Sequence, residues 1–469
     1  MTFPAIPATL SIVVLAAGAG SRMKSSLPKP LHAAAGKPML AHVLSAARSL
    51  APADITVVGS PGIASHLATA DWMDGVTLAI QDPPLGTADA VRTGLGAHQS
   101  GEIVLVLYAD HPLVTGEILA GLLSEIDWTT HRLAVLTCNV DDAAGYGRID
   151  RDDERRVRAI VEKVADEPSM RRGVTEINSG VMVLNRRWAV DALARLAPNS
   201  QKGEYFLTDL VALAYDENPN SVAGIAGPRD VLIGVNDRIE LAVADAHLRQ
   251  RKRLQLQRDG VTLIDPTSNL IDLDVQIGPD TTVGPGCVLE GATRIGEGCR
   301  IGPYAVVRSS TVADEVRIES STIEDSTIDS NSDVGPYSHL RGHTNIGKGV
   351  HIGNFAELKN ATLGDAVRVG HFSYLGDASV GAEVNIGAGS ITCNYDGAGK
   401  HRTEIGAGAF IGSDTMLIAP ISVGAGARTG AGAVVTRNVA DGATVVGMPA
   451  RQIRRKREDD SDAADGGEQ

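Results

Sequence analysis

Residues 276–307 read QIGPDTTVGPGCVLEGATRIGEGCRIGPYAVV, and an aliphatic residue stands at every sixth position of this stretch. The series is Ile277, Val283, Leu289, Ile295, Ile301 and Val307, and several of its members are followed directly by Gly. A sustained period of six predicts a hexapeptide β-helix, in which each coil is a triangle of three short parallel strands. We expect the aliphatic side chains to stack inside this prism and the glycines to ease its corners.

The period of six extends through most of the C-terminal half. It resumes in two series, Val334, Leu340, Ile346, Ile352, Leu358 and then Ile405, Ile411, Leu417, Val423. Residues 391–404, ITCNYDGAGKHRTE, interrupt it, and an insertion in a solenoid is expected to form a loop, often on the binding face. The pattern predicts a left-handed parallel β-helix over residues 259–453.

The N-terminal half has a different pattern, in which short apolar runs alternate with helical stretches. The predicted strands are 12–15, 55–58, 77–80, 103–107, 133–137 and 181–184, and the predicted helices are 38–49, 88–95, 116–126 and 208–215. Such alternation predicts an α/β domain with a mostly parallel, Rossmann-like sheet over residues 1–235. Residues 236–258 predict a helix that links the two domains, and the charged residues 454–469 predict a disordered tail.

Composition limits the partners that the chain can have. The 469 residues include 43 Lys and Arg against 57 Asp and Glu, a net charge of −14, so we expect neither nucleic acid nor a membrane surface as a partner. The four cysteines have no metal-like spacing and are expected to be reduced thiols, which fits a cytoplasmic protein. Aromatic residues make up only 3%, as expected if rings do not fit the narrow prism.

A Gly-rich segment follows the first predicted strand. Residues 16–23 read AAGAGSRM, and the tripeptide LPK follows at 27–29. Glycines at this point let backbone N–H groups approach a phosphate, which Arg22 and Lys29 could neutralise. Each feature by itself also fits an ordinary strand-to-helix turn or a solvated surface lysine.

The pattern LAAGxGxRM followed by LPK resembles that of the sugar-phosphate nucleotidylyltransferases, and segments at 85–88, 108–110, 145–148, 178–180 and 234–236 match this family in the same order. The resemblance implies in-line attack by a sugar-1-phosphate on the α-phosphorus of a nucleoside triphosphate, with Mg²⁺ held by Asp110 and Asn236. The residues that it implies in binding UTP and the sugar phosphate are Leu15, Ala16, Ala17, Gly18, Arg22, Lys29, Gln81, Gly86, Thr87, Gly147, Glu162, Asn178 and Asn236. Asp89 departs from the family pattern, in which His is usual.

Five segments of the β-helix half resemble the bifunctional bacterial enzymes that join a glucosamine-1-phosphate N-acetyltransferase to an N-acetylglucosamine-1-phosphate uridylyltransferase. They are GNF at 353–355, ELK at 357–359, GHFSYLGD at 370–377, NIGAG at 385–389 and ITCNYDG at 391–397. The resemblance implies that His371 is the general base and that the subunits of a homotrimer build the sites between them. Proximity in the repeat suggests that Glu357 orients His371.

The same resemblance implies two further sets of contacts. The sugar phosphate would be held by Arg341, Lys359, Tyr374, Asn385, Asn394 and Tyr395. Acetyl-CoA would be held by Ala388, Ser413, Ala431 and Met448, the last of which stands where the family has an Arg.

Together the resemblances imply a two-step enzyme. Acetyl-CoA would acetylate glucosamine-1-phosphate, and UTP would then uridylylate N-acetylglucosamine-1-phosphate with release of pyrophosphate. The product, UDP-N-acetylglucosamine, would supply cell-wall and lipopolysaccharide synthesis. Two alternatives stay open: a nucleotidylyltransferase whose β-helix only regulates or oligomerises, and a non-catalytic binding or exchange-factor subunit with this architecture.

Overall fold

The computed structural model describes residues 9–18, 20–98, 100–141, 143, 145–162, 175–199, 203–232 and 234–453, so the predicted tail at 454–469 lies outside the described residues. The chain divides into two compact units, Met1–Leu248 and Arg249–Gln469, and the division falls inside the Arg238–Arg258 helix. The domain boundaries drawn from the sequence at 235 and 258 stay predictions. None of the described helices combines the length and the apolar character that a bilayer crossing requires.

The first unit is built on a mixed β-sheet. In sheet order, its main strands are Val222–Ala226, Leu133–Asn139, Glu176–Asn185, Ile103–Tyr108, Leu10–Ala16, Asp54–Gly59 and Thr77–Ile80. Glu176–Asn185 runs antiparallel to both of its neighbours, and the other neighbouring pairs are parallel. The prediction of a mostly parallel α/β sheet is confirmed.

Some strands of this unit were not predicted. Arg148–Arg151 pairs with Val157–Val161 in an antiparallel ladder beside the main sheet, and Ala33–Ala34 pairs with Lys37–Pro38. Charged residues interrupt the strands of the first ladder, and Arg158 Nη2 lies 2.7 Å from Asp150 Oδ2. These strands therefore lack the continuous apolar run from which a strand can be predicted.

Helices cover both faces of the sheet. The α-helices are Met39–Arg48, Pro61–Leu67, Thr87–Ala97, Gly116–Ser124, Arg186–Arg195, Asp209–Glu217, Arg229–Leu232 and Arg238–Arg258. Successive side chains of the central strand enter different apolar clusters, Ile12 and Val14 on one face and Val13 and Leu15 on the other. Burial on both faces explains why this strand is a continuous apolar run.

The second unit is a three-sided parallel β-helix, in which every third strand joins the same sheet as far as Arg428–Thr429. At its C-terminal end, Thr444–Val446 pairs with Arg428–Thr429 and with the antiparallel strand Arg451–Ile453. The first sheet contains Thr262–Leu263, Thr282–Val283, Arg300–Ile301, Arg317–Ile318, Asp333–Val334, His351–Ile352, Arg368–Val369, Asn385–Ile386, Phe410–Ile411, Arg428–Thr429, Thr444–Val446 and Arg451–Ile453. The second sheet contains Leu270–Ile271, Val288–Glu290, Val306–Arg308, Thr322–Glu324, His339–Arg341, Glu357–Lys359, Tyr374–Gly376, Ile391–Cys393, Met416–Ile418 and Val434–Val435. The third sheet contains Gln276–Ile277, Arg294–Ile295, Thr311–Val312, Thr327–Ile328, Asn345–Ile346, Thr362–Leu363, Ala378–Val380, Thr403–Ile405 and Ile421–Val423.

The aliphatic series fills the interior of this prism, as its period predicts. Its members form one buried cluster of aliphatic side chains with Cys287 and Cys299, and no aromatic ring of the continuously described residues 249–453 enters it. Rings such as Tyr337, Phe355 and Phe372 lie outside, at the corners. The scarcity of aromatic residues therefore follows from the fold.

The role expected of glycine is correct only in part. Gly286, with a φ of 68°, does ease a corner, but Tyr337, Phe355 and Phe372 occupy equally left-handed corners with φ of 63°, 58° and 57°. Glycines such as Gly387, directly after Ile386, serve another purpose, because a Cβ at Gly387 would lie 2.5 Å from the backbone nitrogen of Ser413 in the next coil. Close approach of neighbouring coils, rather than φ, requires Gly there.

Candidate active sites

A cavity of about 350 Å³ lies at the carboxyl ends of parallel strands in the first unit. Leu10–Ala16 and Ile103–Tyr108 both end there, which is where open α/β sheets bind ligands. The predicted residues that line it are Leu15, Ala16, Ala17, Gly18, Lys29, Gln81, Gly86, Thr87 and Asp110. Glu204 and Phe206 also line it, although no sequence motif points to them.

Lys29, Asp110 and Asn236 meet at this cavity from distant parts of the chain. Lys29 Nζ donates a hydrogen bond to Asp110 Oδ2, and Asn236 Oδ1 accepts from the same ammonium at 3.5 Å. Arg22 Nη2 donates to Asn236 Oδ1 at 2.8 Å. The two predicted metal ligands and two predicted phosphate-binding cations therefore form one cluster.

His111, which no motif singled out, contacts the Asp110 carboxylate. Its Nδ1 lies 2.9 Å from Asp110 Oδ1, and both atoms are buried. Burial alone would raise the pKa of Asp110, but the contact with His111 and the Lys29 ammonium outweigh it and lower that pKa far below its usual value. Asp110 is therefore ionised. The only sequence signal for His111 was its position directly after Asp110.

Asp110 and Asn236 offer the oxygen ligands that a hard divalent cation takes. Among the described residues, no group of three or more His, Cys, Asp or Glu side chains could hold a metal, so any cation here would also need phosphate or water ligands. Asp110 Oδ1 is buried, and His111 Nδ1 lies 2.9 Å from it. An ionised carboxylate beside the amide oxygen of Asn236 fits such a cation.

Glu162, Asn178 and Gly147 form a second group beside the cavity. Asn178 N donates to Gly147 O at 2.8 Å, and a Cβ on Gly147 would lie 3.4 Å from Glu162 Oε1. Tyr108 lines the cavity, and burial followed by the charges of Glu162 and Asp110 raises the pKa of its phenol. Tyr108 therefore connects the predicted sugar-binding group to the Asp110 cluster.

The side-chain amide of Gln81 lies at the cavity between two acceptors. Its Nε2 donates to Gly86 O at 3.0 Å and to Asp89 Oδ2 at 2.8 Å. Asp89, which departs from the family pattern, is thus in direct contact with a predicted nucleotide-binding residue.

In the second unit, the predicted base and acetyl-CoA contacts form a single exterior column. Equivalent backbone hydrogen bonds of 2.7 to 2.8 Å join successive coils there. Their acceptors are the carbonyl groups of His371, Ala388 and Ser413, and each donor is a backbone N–H of the next coil. Ala431 continues the column in the next coil, where its backbone nitrogen faces Gly412. The β-helix therefore brings these four residues into register.

Predicted sugar-phosphate contacts surround Gly376 on the second sheet. Arg341 pairs with Lys359, and Lys359 pairs with Gly376, in successive coils. Tyr374 Oη and Asn394 Nδ2 approach Gly376 so closely that a Cβ there would lie within 3 Å of both. Four of the six predicted residues are therefore neighbours.

The expectation that Glu357 orients His371 stays a prediction. Arg341 Nε donates to Glu357 Oε1 at 2.9 Å, so this carboxylate is engaged by the guanidinium. The pairing follows from the sheet register, which sets His339–Arg341 against Glu357–Lys359.

Two residues that received no predicted role join this cluster. Asn394 Nδ2 donates to Asp377 Oδ2 at 2.6 Å, so the carboxylate fixes the amide. The adjacent Lys400 amine, with Arg341, lowers the pKa of Lys359 below its usual value of 10.5. Asp377 lies in a segment that carried the resemblance, and Lys400 lies in the interruption of the repeat at 391–404; these were the signals that could have found them.

Asn385 and Met448 lie outside this cluster, whereas Tyr395 follows Asn394 and its backbone pairs with Lys400. Asn385 belongs to the first sheet, beside Arg368 and Phe410, whereas Arg341 and Lys359 belong to the second. Tyr395 is exposed and donates its hydroxyl to Gly397 O at 2.8 Å. Met448, beyond the Thr444–Val446 strand, is 78% exposed.

Comparison with known proteins matches both halves. A MobA-like NTP transferase domain covers residues 12–213, and the bacterial transferase hexapeptide, six repeats, covers 274–309. The bifunctional protein GlmU of Alkalilimnicola ehrlichii is 43% identical over 446 residues, which are 94% of this chain and 95% of the relative. The GlmU protein of Heliobacterium modesticaldum is 43% identical over 94% of this chain and 96% of the relative. The GlmU protein of Trichlorobacter lovleyi is 42% identical over 91% of this chain and 93% of the relative. This chain belongs to the GlmU family.

GlmU proteins combine a uridylyltransferase with an acetyltransferase, and this chain is accordingly a bifunctional enzyme with both activities. The resemblance drawn from the motifs is confirmed. Membership in the GlmU family sets aside the two alternatives left open by the sequence, a β-helix that only regulates or oligomerises and a non-catalytic subunit.

Proposed function

We propose that the β-helix acetylates glucosamine-1-phosphate with acetyl-CoA and that the α/β unit then converts N-acetylglucosamine-1-phosphate and UTP into UDP-N-acetylglucosamine and pyrophosphate. One observation carries the proposal: each compact unit holds its own set of reactive side chains, Lys29, Asp110 and Asn236 in one and the His371 column in the other. Because UTP and acetyl-CoA are metabolites of the cytoplasm, the enzyme is proposed to work there and to supply cell-wall and lipopolysaccharide synthesis.

In uridylyl transfer, a phosphate oxygen of N-acetylglucosamine-1-phosphate attacks the α-phosphorus of UTP, and the bond to the β-phosphate oxygen breaks. Both reactants are anions, so the main task of the site is to neutralise charge and align them. Lys29 and Arg22 supply positive charge at the cavity, and residues 15–18 supply backbone N–H groups. Glu162 and Asn178 would hold the sugar, with Asn178 N fixed by its hydrogen bond to Gly147 O.

Asp110 and Asn236 would hold Mg²⁺ in this site. When bound, the ion would stabilise the negative charge that develops on the transferred phosphate. Lys29 donates a hydrogen bond to Asp110. We propose that Lys29 leaves Asp110 for the nucleotide phosphates when these bind, and that His111 keeps the carboxylate in place meanwhile.

In acetyl transfer, the amine nitrogen of glucosamine-1-phosphate attacks the thioester carbonyl, and the carbon–sulfur bond of acetyl-CoA breaks. His371 is proposed to remove the amine proton, and the CoA sulfur leaves. Arg341 and Lys359 would bind the sugar phosphate, while Ala388, Ser413 and Ala431 would leave room for CoA along the column because their side chains are small. No covalent enzyme intermediate is required, so Cys393 needs no role.

A homotrimer is proposed because one β-helix does not gather the predicted site. Asn385 lies on the first sheet, and Arg341, Lys359 and Tyr374 lie on the second. A second copy could present its Asn385 to the cluster of the first, and closed symmetry would repeat this arrangement. Tyr337, Phe355 and Phe372 form an exposed stack, with ring centroids 5.4 and 5.2 Å apart, next to His371 in the sequence. This aromatic stack is the surface proposed to meet the next copy.

The proposal is tested by supplying substrates one at a time to the full-length enzyme. Glucosamine-1-phosphate, acetyl-CoA, UTP and Mg²⁺ together are expected to yield UDP-sugar and pyrophosphate. Omission of acetyl-CoA should stop both products, and preformed N-acetylglucosamine-1-phosphate should restore them. Equal product with and without acetyl-CoA would contradict the proposed order.

A further inference from the structure

The orientation of the Gln81 amide is fixed by its partners. Both Gly86 O, at 3.0 Å, and Asp89 Oδ2, at 2.8 Å, contact Nε2 of this 4% exposed residue. A carbonyl and a carboxylate can only accept hydrogen bonds, so only the NH₂ end of the amide satisfies them. Turning the amide over would set its oxygen against two acceptors and lose both bonds.

The Asp89 carboxylate is itself held in place. Its Oδ1 lies 3.3 Å from Arg92 Nη1, while its Oδ2 accepts from Gln81. Arg92 also donates to Leu193 O at 2.9 Å, and its guanidinium lies 5.2 Å from the ring centroid of Tyr205. A carboxylate bound at both oxygens cannot easily turn away from Gln81.

The backbone around these groups is braced as well. Ala88 N donates to Tyr205 O at 3.0 Å, and Leu207 N donates to Thr87 Oγ1 at 2.9 Å. Gly86 packs so tightly that a Cβ there would lie 2.5 Å from Tyr205 O. The two acceptors that face Gln81 are therefore parts of one supported segment.

This arrangement limits what Gln81 can offer to a nucleotide. Gln81 lines the cavity, and both of its amide hydrogens are already used, so only its Oε1 acceptor remains for a ligand. An acceptor binds a base edge that presents a ring N–H, as N3 of uracil does. The N3 atom of cytosine carries a lone pair instead, and two acceptors facing each other form no bond.

We propose that Asp89 is a positioning residue for base selection: by fixing the Gln81 amide, it makes the site prefer a uracil nucleotide to a cytosine nucleotide. The inference rests on the proposed use of UTP and adds the residue that controls the selecting atom.

The test compares kcat/KM for UTP and CTP in the full-length enzyme with N-acetylglucosamine-1-phosphate and Mg²⁺. In Asp89→Asn, the new amide can donate to Gln81 Oε1, so the Gln81 amide can turn and the CTP-to-UTP ratio of kcat/KM should rise about tenfold or more. Asp89→Ala offers no donor and leaves Gly86 in place, so the ratio should rise only about threefold. This order of the two variants is not expected of a merely structural residue.

The matched control is Asp82→Asn. It removes the same charge from the exposed residue that directly follows Gln81, and it should leave the CTP-to-UTP ratio unchanged. The proposal is overturned if Asp89→Asn lowers kcat/KM equally for UTP and CTP, or if Asp82→Asn shifts the CTP-to-UTP ratio as much as Asp89→Asn does.

A measurement on the unaltered enzyme keeps the inference testable if the Asp89 variants do not fold. N3-methyl-UTP lacks the ring N–H and should have a kcat/KM at least about tenfold below that of UTP. Equal use of the two nucleotides would overturn the role of Asp89. Failure of the unaltered enzyme to use UTP at all would instead refute the proposed function, so the two failures are distinguishable.

Discussion

The α/β unit and the β-helix gather their functional side chains by different geometry. Parallel strands end side by side, so Lys29 contacts Asn236 across 207 positions of sequence and also contacts Asp110 at the cavity. The β-helix instead repeats one position from coil to coil, and it sets His371, Ala388 and Ser413 in a row on its exterior.

The difference teaches how much of a site one chain can complete. A sheet edge surrounds its ligand with loops from several strands, whereas one face of a solenoid lines up residues without enclosing anything. Asn385 and the Arg341 cluster lie on different faces of the prism. We therefore expect the first site to work in a single chain and the second to need neighbouring copies.

The largest expected effect separates the two units at the cavity. Asp110→Ala removes the ionised carboxylate that would hold Mg²⁺, and uridylyl transfer should fall by about 10³-fold or more. Acetyl transfer, measured on the same preparation, should stay within about twofold, since Asp110 lies in the other unit. Binding of Mn²⁺, followed by electron paramagnetic resonance, should be lost as well. Retained uridylyl transfer that still needs Mg²⁺ would refute the metal role.

The converse change lies on the exterior column. His371→Ala should lower acetyl transfer by about 10²- to 10³-fold, because a general base contributes on that order, and should spare uridylyl transfer. Thiol release from acetyl-CoA is the measurement. His351→Ala, at another exposed histidine of the β-helix, is the control and should change neither activity. Equal loss of both activities in His371→Ala would refute two independent sites.

An intermediate effect is expected where the copies are proposed to meet. Phe355→Asp places a charge between Tyr337 and Phe372 in the aromatic stack, so the trimer should dissociate and acetyl transfer should fall about tenfold at low enzyme concentration. Light scattering gives the mass, and uridylyl transfer should persist.

Val190→Asp serves as the control for this change, because Val190 is an exposed apolar residue of the α/β unit and lies outside the stack. A monomer that keeps full acetyl transfer would show that one β-helix suffices, which would end the proposed contrast between the units.

The smallest expected effect concerns the pH dependence of the exterior cluster. Lys359 is proposed to bind phosphate, which requires its protonated form. Lys400 with Arg341 lowers the pKa of Lys359 below 10.5, so the KM for glucosamine-1-phosphate should begin to rise at a lower pH than an ordinary lysine allows. Lys400→Gln removes the largest cause and should move this rise to higher pH. The substrate amine titrates equally in both enzymes, so an unchanged profile would contradict the coupling.

Local patterns predicted the architecture well. The period of six placed Ile301 and Leu340 inside the prism, and continuous apolar runs placed the central strands, because burial on a repeating backbone leaves a repeating sequence. The resemblance also named Lys29, Asp110 and Asn236, which the structure brings into one cluster. It assigned no role to His111 or Asp377, although each contacts a predicted site residue. These contacts leave no periodic pattern in the sequence from which they could be predicted.

By itself, the sequence determined that an α/β half with a phosphate-binding turn precedes a hexapeptide β-helix, and its motifs identified a bifunctional enzyme. Only the tertiary structure decided that Glu357 engages Arg341, that glycines such as Gly387 admit the neighbouring coil, and that Asp89 fixes the Gln81 amide. The physical reason is that the six-residue period determines only whether a side chain points into or out of the prism. Which residue that side chain contacts depends on the segment that packs against it, and in the β-helix the register between coils decides this.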